Sequence, residues 1–203
     1  MSIALDGTDQ LPQGLPQFRV ATSADGQFTD RLKVKFTLAR IHGLDLACYT
    51  HLENISGDPN LTVEIIQRSL KRAEKLLGRL PPELHIQMDN CFRENKNSCV
   101  LNYLGSLCER GLFPKGAHIS FLPIGHTHNE MDQVASRISV PVRRKDIHSR
   151  LDLHKLLRTC YPYVRIVFLT QIADTKGWLN PGLNVNWTNS KFSRVVNVSK
   201  HQF

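Results

Sequence analysis

Acids, amides and histidines gather at two places in this chain where apolar alternation ends. The stretch ELHIQMDNCFRENKN, residues 83 to 97, runs from Leu84, Ile86 and Met88 into Asp89, Asn90, Lys96 and Asn97. The stretch ISFLPIGHTHNEMDQ, residues 119 to 133, passes from an apolar run into His126, His128, Glu130 and Asp132. A further acid, Asp6, closes the short apolar run SIALD. Carboxylates that converge repel one another unless cations sit between them, and hard oxygen donors suit Mg²⁺ or Mn²⁺. Two such ions, roughly 3.5–4 Å apart, can activate a water or a 3′-hydroxyl and stabilise the leaving oxygen of a phosphodiester, with no side-chain nucleophile. A plainer explanation fits the same spacing: Asp89-Asn90 starts a turn, and Glu130 and Asp132 favour a helix N-terminus. Glu130 and Asp132 both flank a buried helical stripe, so helical geometry does not choose between them.

The elements that must position these groups can be followed along the chain. SIALD is a short strand. In RLKVKFTLARIHG, Leu32, Val34, Phe36 and Leu38 alternate with Lys33, Lys35 and Thr37, the period-2 signature of a half-exposed strand. LDLACYTHL (44–52) is its hairpin partner, with His42-Gly43 near the turn. GDPN (57–60) opens a helix that Asp58 or Asn60 can cap. ELHIQMD is a strand, and a helix over about 97 to 110 follows, capped by Asn95 or Asn97 and ended by Gly111. AHISFLPI is the next strand, and NEMDQVASRI starts a helix with Met131, Val134, Ala135 and Ile138 on its buried side. Beyond residue 140, RRKDIHSRLDLHKLLRTC has the periodicity of one more amphipathic helix, and YVRIVFLT that of a strand. Three antiparallel strands followed by alternating helices and strands make an α/β fold with a mixed sheet, the ribonuclease-H-like order. In such sheets ligands gather at the carboxyl ends of the strands, which is where Asp6, Asp89 and the helix carrying Glu130 and Asp132 fall.

The bulk of the chain suits such a domain. Its 203 residues, 41% hydrophobic and 22% charged, are enough for a real core and too apolar for disorder. The expected division is a core over residues 1–140 and a basic continuation over 141–203 packed on it. Five cysteines, Cys48, Cys91, Cys99, Cys108 and Cys160, form no CxxC pair, which argues against a disulfide framework or a zinc ribbon. Cys99 and Cys108 read as small buried hydrophobes on a helix. The N-terminus lacks a basic region followed by an apolar core, and no apolar run is long enough for a membrane span. A nuclear or cytoplasmic protein, not secreted and not in a membrane, is therefore expected. Residues 1–135 hold 14 Lys and Arg against 15 Asp and Glu, whereas residues 136–203 hold 12 against 3. A basic third beside an acidic site suits a polyanion such as nucleic acid, although it also serves simple solubility.

The quoted motifs resemble an uncharacterised eukaryotic domain family with the form DGxDQ, then DNxxxxxKN, then an apolar strand and GHTHxxxD. Asp6-Gly7-Thr8-Asp9-Gln10, Asp89-Asn90 with Lys96-Asn97, and Gly125-His126-Thr127-His128 with Asp132 carry the match. It covers roughly residues 1–140 and extends more weakly to TKGWL (175–179). Members resemble DDE-type transposases, whose catalytic domain is ribonuclease-H-like. The resemblance implies Asp6, Asp89 and Asp132 as catalytic ligands of two Mg²⁺ or Mn²⁺ ions, with Asp9 and Glu130 as alternates. It sets Asn90, Lys96, Asn97, His126 and His128 around the substrate. DNA is the implied partner. Specific recognition of DNA would need another domain or subunit, since no zinc finger or helix-turn-helix is legible here.

Two hydrolase motifs are echoed and then fail. GHTH resembles the last metal loop of calcineurin-like phosphoesterases, but GDxxD and GNH[DE] are missing. HTHNEMD departs from HxHxDH at Glu130 and Met131. The stronger rival is a domesticated transposase relic that binds nucleic acid or protein without cleaving it.

Overall fold

A computed structural model describes residues 1–7, 14–18, 31–91, 93–121, 130–161 and 163–179. Alternation produces strands where it was legible: β1 (Ser2–Gly7), β2 (Val34–Ile41), β3 (Asp45–Leu52), β4 (Glu83–Met88), β5 (Gly116–Phe121) and β6 (Val164–Leu169). Between and after them lie α1 (Pro59–Leu77), α2 (Ser98–Glu109), α3 (Glu130–Arg143), α4 (Arg150–Cys160) and the short α5 (Thr175–Leu179). The strands form one sheet in the order β5-β4-β1-β2-β3-β6. β1–β2 and β2–β3 pair antiparallel; β1–β4, β4–β5 and β3–β6 pair parallel. Every strand except β2 thus points the same way, and five carboxyl ends share one edge of the sheet. This α/β mixed sheet, antiparallel at first and then parallel with interleaved helices, is compatible with a ribonuclease-H-like fold. β6 adds an outer strand beside β3, so the basic C-terminal segment contributes to the same sheet.

Period-2 alternation sends alternate residues into two apolar layers. Ile3, Leu84, Ile86 and Met88 lie in the layer under α1 and α2, with Ile66, Val100 and Leu104. Ala4, Val34, Phe36 and Leu38 lie in the opposite layer, with Met131, Ile138, Leu153 and Leu157 of α3 and α4. The expected half-exposed β2 holds only for its first half. Ala39 and Ile41 are buried in the α1 layer, because β2 is interior to the sheet and both of its faces are covered. β3 is buried along most of its length for the same reason. Cys48, on β3, is fully buried, and burial pushes its thiol up to about 12. Cys99 and Cys108 are buried on α2, as their apolar surroundings foretold.

Local signals set the helix ends. Asp58, not Asn60, caps α1, accepting from the Asn60 and Leu61 amides at 2.9 and 3.4 Å, with Pro59 at the first helical position. Asn97 caps α2 by accepting from the Val100 amide at 3.1 Å, and Gly111 leaves that helix with φ 76°. The single helix expected over residues 143–160 is divided. α3 continues through Pro141 to Arg143, and α4 begins only at Arg150. Ser149 and Asp152 form a reciprocal capping box there, which starts a new helix instead of prolonging the old one.

Two histidines tie this packing to pH. Thr50 Oγ1 lies 3.0 Å from His154 Nε2 of α4, and His51 Nδ1 lies 3.1 Å from the Leu52 carbonyl. Burial, and then Arg150 and Arg158, hold His154 below the ordinary imidazole value; burial, and then Lys35, do the same to His51. The unfolded chain then takes up protons, near pH ~6.5, that the folded chain resists. Stability from these two groups is present above that pH and lost as pH falls toward the folded values. The urea midpoint should therefore be lower at pH 5 than at pH 7.5, and His154→Gln should flatten the slope. An unchanged slope in that variant would remove His154 as a cause.

Candidate functional site

β4 ends at Met88, and the chain turns at once through Asp89. The Asp89 carboxylate accepts from Asn95 Nδ2, and its Oδ1 lies 3.4 Å from the Cys91 amide. Asn95 is itself buried, and its Oδ1 accepts from Thr62 Oγ1 of α1 at 2.9 Å. The Asn95 and Lys96 amides both donate to the Cys91 carbonyl at 2.9 Å, which closes the loop tightly. The strand end, the loop and the start of α1 are thus one hydrogen-bonded unit. Asn95 is a positioning residue in it. Asn95→Ala should deprive the Asp89 carboxylate of its side-chain donor and leave Thr62 only the Glu94 carbonyl, 3.0 Å away, as acceptor, costing about 1–3 kcal/mol. Chemical denaturation would read this loss, and an unchanged midpoint would show that the loop is held by other contacts.

The parallel register bears on the second acid. Ser2 pairs with His85, Ile3 with Ile86 and Ala4 with Gln87. The same offset carried two residues further would set Asp6 level with Asp89, one residue past the end of β4. Asp6 also shares strand phase with Ala4, which lies in the layer that α3 covers. α3 follows β5, so its first turn, with half-buried Asp132, comes after the same edge of the sheet. Glu130 opens α3; its side chain lies outside the described residues, as do Asp9, His126 and His128.

The remaining predicted residues divide between structure and surface. Asn97 caps α2. Lys96 is buried, with its ammonium 5.5 Å from the centre of the Phe121 ring of β5, which places it inside the fold and not in open solvent. Asn90 Oδ1 is buried and finds no hydrogen-bond partner among the described residues.

Beside the Asp89 loop, a cleft of about 380 Å³ opens between the starts of α1 and α2. Ser56, Asp58, Arg93, Asn97, Ser98 and Lys176 line it. Two helix N-termini and two cations favour an anion there, and the Asp58 carboxylate opposes one. The Lys176 amide donates to Asn60 Oδ1 at 2.7 Å, and Asn60 Nδ2 donates to Asp174 at 3.2 Å, so α5 is tied to the start of α1. Arg93 and Thr62 were not legible as site residues: an exposed Arg in a turn and a Thr in a helix carry no signal until the fold brings them to one loop. Lys176 lay in the TKGWL stretch, whose resemblance to the motif family was the available signal.

Comparison with known proteins adds the family and nothing finer. No curated protein and no solved structure gives a match. The family described as Domain of unknown function (DUF7869) matches residues 25–202. That stretch includes Asp89 and Asp132, begins after Asp6 and Asp9, and runs through the basic third, where the motif resemblance extended only weakly, to TKGWL. Matching most of its length, this chain belongs to the DUF7869 family.

Proposed function

We propose that this domain cleaves or joins phosphodiester bonds of DNA as a DDE-type nuclease or integrase-like catalytic domain. The observation that supports it is the parallel register of β1 and β4, Ser2 with His85 to Ala4 with Gln87, which, extended by two residues, would set Asp6 level with Asp89 on the side of the sheet that α3, the helix of Asp132, covers. The donor chemistry suits Mg²⁺ or Mn²⁺: three carboxylates and, next to Asp89 in the chain, a buried amide oxygen, Asn90 Oδ1, with no donor among the described residues. When bound, two such ions supply an activated oxygen nucleophile and charge stabilisation of the leaving oxygen. The chain's own part is to hold the carboxylates. Asn95, anchored on Thr62, fixes one oxygen of Asp89, and the sheet fixes Asp6. Arg93 and Lys176 in the adjacent cleft would take a backbone phosphate. Exposed Arg137, Arg144, Lys145, Lys155 and Arg158 on and beside α3 and α4 would hold the polyanion without reading sequence. Specific recognition would come from another domain or a second subunit.

The basic surface also favours a second reading, a relic that binds nucleic acid without cleaving it. Incubation of the full chain with labelled duplex and single-stranded DNA, with Mn²⁺, Mg²⁺ or EDTA, separates the two. Cleavage or strand transfer that needs the metal supports the catalytic domain. Salt-sensitive binding with no product in any metal supports the relic and overturns the catalytic domain.

A further inference from the structure

At the opposite edge of the sheet, three side chains form a constellation that the carboxylate site does not use. Glu83 and His85 are two apart on β4 and so share a face, and His118 on β5 is the register partner of His85. The two imidazoles stack with centroids 4.7 Å apart and planes 11° apart. Glu83 reaches both, with Oε1 3.0 Å from His118 Nε2 and Oε2 3.5 Å from His85 Nε2. Burial raises the Glu83 carboxyl, but hydrogen bonds from His85 and His118 outweigh it and hold the group below its ordinary value. One ligand atom from each residue lies within 4.8 Å of the others.

We propose that Glu83, His85 and His118 bind a borderline divalent cation of the Zn²⁺ type. Tetrahedral zinc with bonds of roughly 2.0–2.2 Å sets its ligand atoms about 3.3–3.5 Å apart. Each imidazole lies within that span of one of the two carboxylate oxygens, and with one oxygen as ligand all three ligand atoms lie within 4.8 Å of one another. The imidazole pair closes onto it by no more than about 1.5 Å, a swing open to side chains on the uncovered face of β4 and β5. Both strands are locked by the parallel ladder, so the three Cα positions are set before any ion arrives. Two imidazole nitrogens and one carboxylate select zinc, nickel or copper over magnesium, and leave a fourth position for water. Six residues of strand separate Glu83 from Asp89, about 20 Å, so this centre is distinct from the proposed carboxylate site. A bound ion would cross-link edge strand β5 to β4 and stabilise the folded chain by mass action.

Calorimetric titration of metal-free full-length chain with Zn²⁺ tests this, alongside the His85→Ala/His118→Ala double variant and the milder Glu83→Gln. All three side chains are at least partly exposed, so the variants should fold, and circular dichroism verifies it. The expected result is that the double variant loses one equivalent of zinc per chain relative to the wild type. Glu83→Gln should bind that equivalent at least about ten-fold more weakly. Zn²⁺ should raise the wild-type Tm more than that of the double variant, and Mg²⁺ at the same concentration should do neither. No saturable zinc binding, or equal stoichiometry in wild type and double variant, overturns the proposal. DNA cleavage is not a readout here, so this result and the fate of the carboxylate site are independent.

Discussion

Replacing Asp89 with Asn is expected to lower metal-dependent phosphodiester cleavage by about 10²–10³-fold, with the fold intact. An asparagine keeps an oxygen that can accept from Asn95 Nδ2 and the Cys91 amide, so the loop's hydrogen bonds survive. What disappears is a negative charge at the end of β4, beside the position that Asp6 reaches in register. A hard cation binds an amide oxygen much more weakly than a carboxylate. The loss should therefore appear as a raised Mn²⁺ requirement together with a reduced rate. Asp6→Asn and Asp132→Asn should behave alike, and the double variants should lose little more than the single ones, because ligands of one metal centre act as a unit. Activity that survives Asp89→Asn unchanged would remove Asp89 from the chemistry, whatever else the domain cleaves.

Ile138→Ala is expected to cost roughly 2–5 kcal/mol, a large part of the ~5–15 kcal/mol that holds a domain folded. Ile138 is wholly buried, in the smaller apolar layer, where α3 meets Leu38 of the sheet and Leu153 and Leu157 of α4. That layer is what holds α3 against the sheet. Truncation leaves a void that the rigid strands below cannot fill, and the loss exceeds simple transfer of the missing carbons. Ile138→Val, a smaller void, should cost only about 0.5–1.5 kcal/mol. Urea unfolding of the three proteins gives the comparison. α3 also carries Asp132, so the alanine variant should lose more cleavage activity than the valine variant at temperatures where both remain folded. Equal stability of Ile138→Ala and the wild type would mean that α3 is held by other contacts.

The elements were legible wherever one local rule acted alone. Alternation marked Leu84, Ile86 and Met88 as one face of a strand, and they line the α1 layer. A side chain that can accept from a free helical amide marked Asp58 or Asn60, and Asn95 or Asn97, as caps, and Asp58 and Asn97 do cap. The segment 143–160 was misread as one helix because its apolar spacing is continuous, whereas the capping box at Ser149 and Asp152 is a hydrogen-bonded choice between two ways of continuing the chain. β2 was taken as half-exposed because Lys33, Lys35 and Thr37 alternate with its apolar residues. Its place between β1 and β3 depends on long-range pairing that no local pattern encodes.

The candidate groups divide along the same line. By itself the sequence determined which groups exist: Asp6, Asp89 and Asp132 at the ends of apolar runs, the amides beside them, and a basic last third. Their types and spacings along the chain suffice for that. Only the tertiary structure decided neighbours. It set β1 beside β4 in parallel register, took Lys96 into the fold against Phe121, and gave Asn95 the task of holding Asp89. It alone brought His118 beside His85 and Glu83, across more than thirty intervening residues. The physical reason is that a strand's register and the order of strands in a sheet are fixed by burial summed over the whole core. A one-residue slip would turn every apolar side chain of a strand to the wrong face, and that penalty is written in no single stretch of sequence.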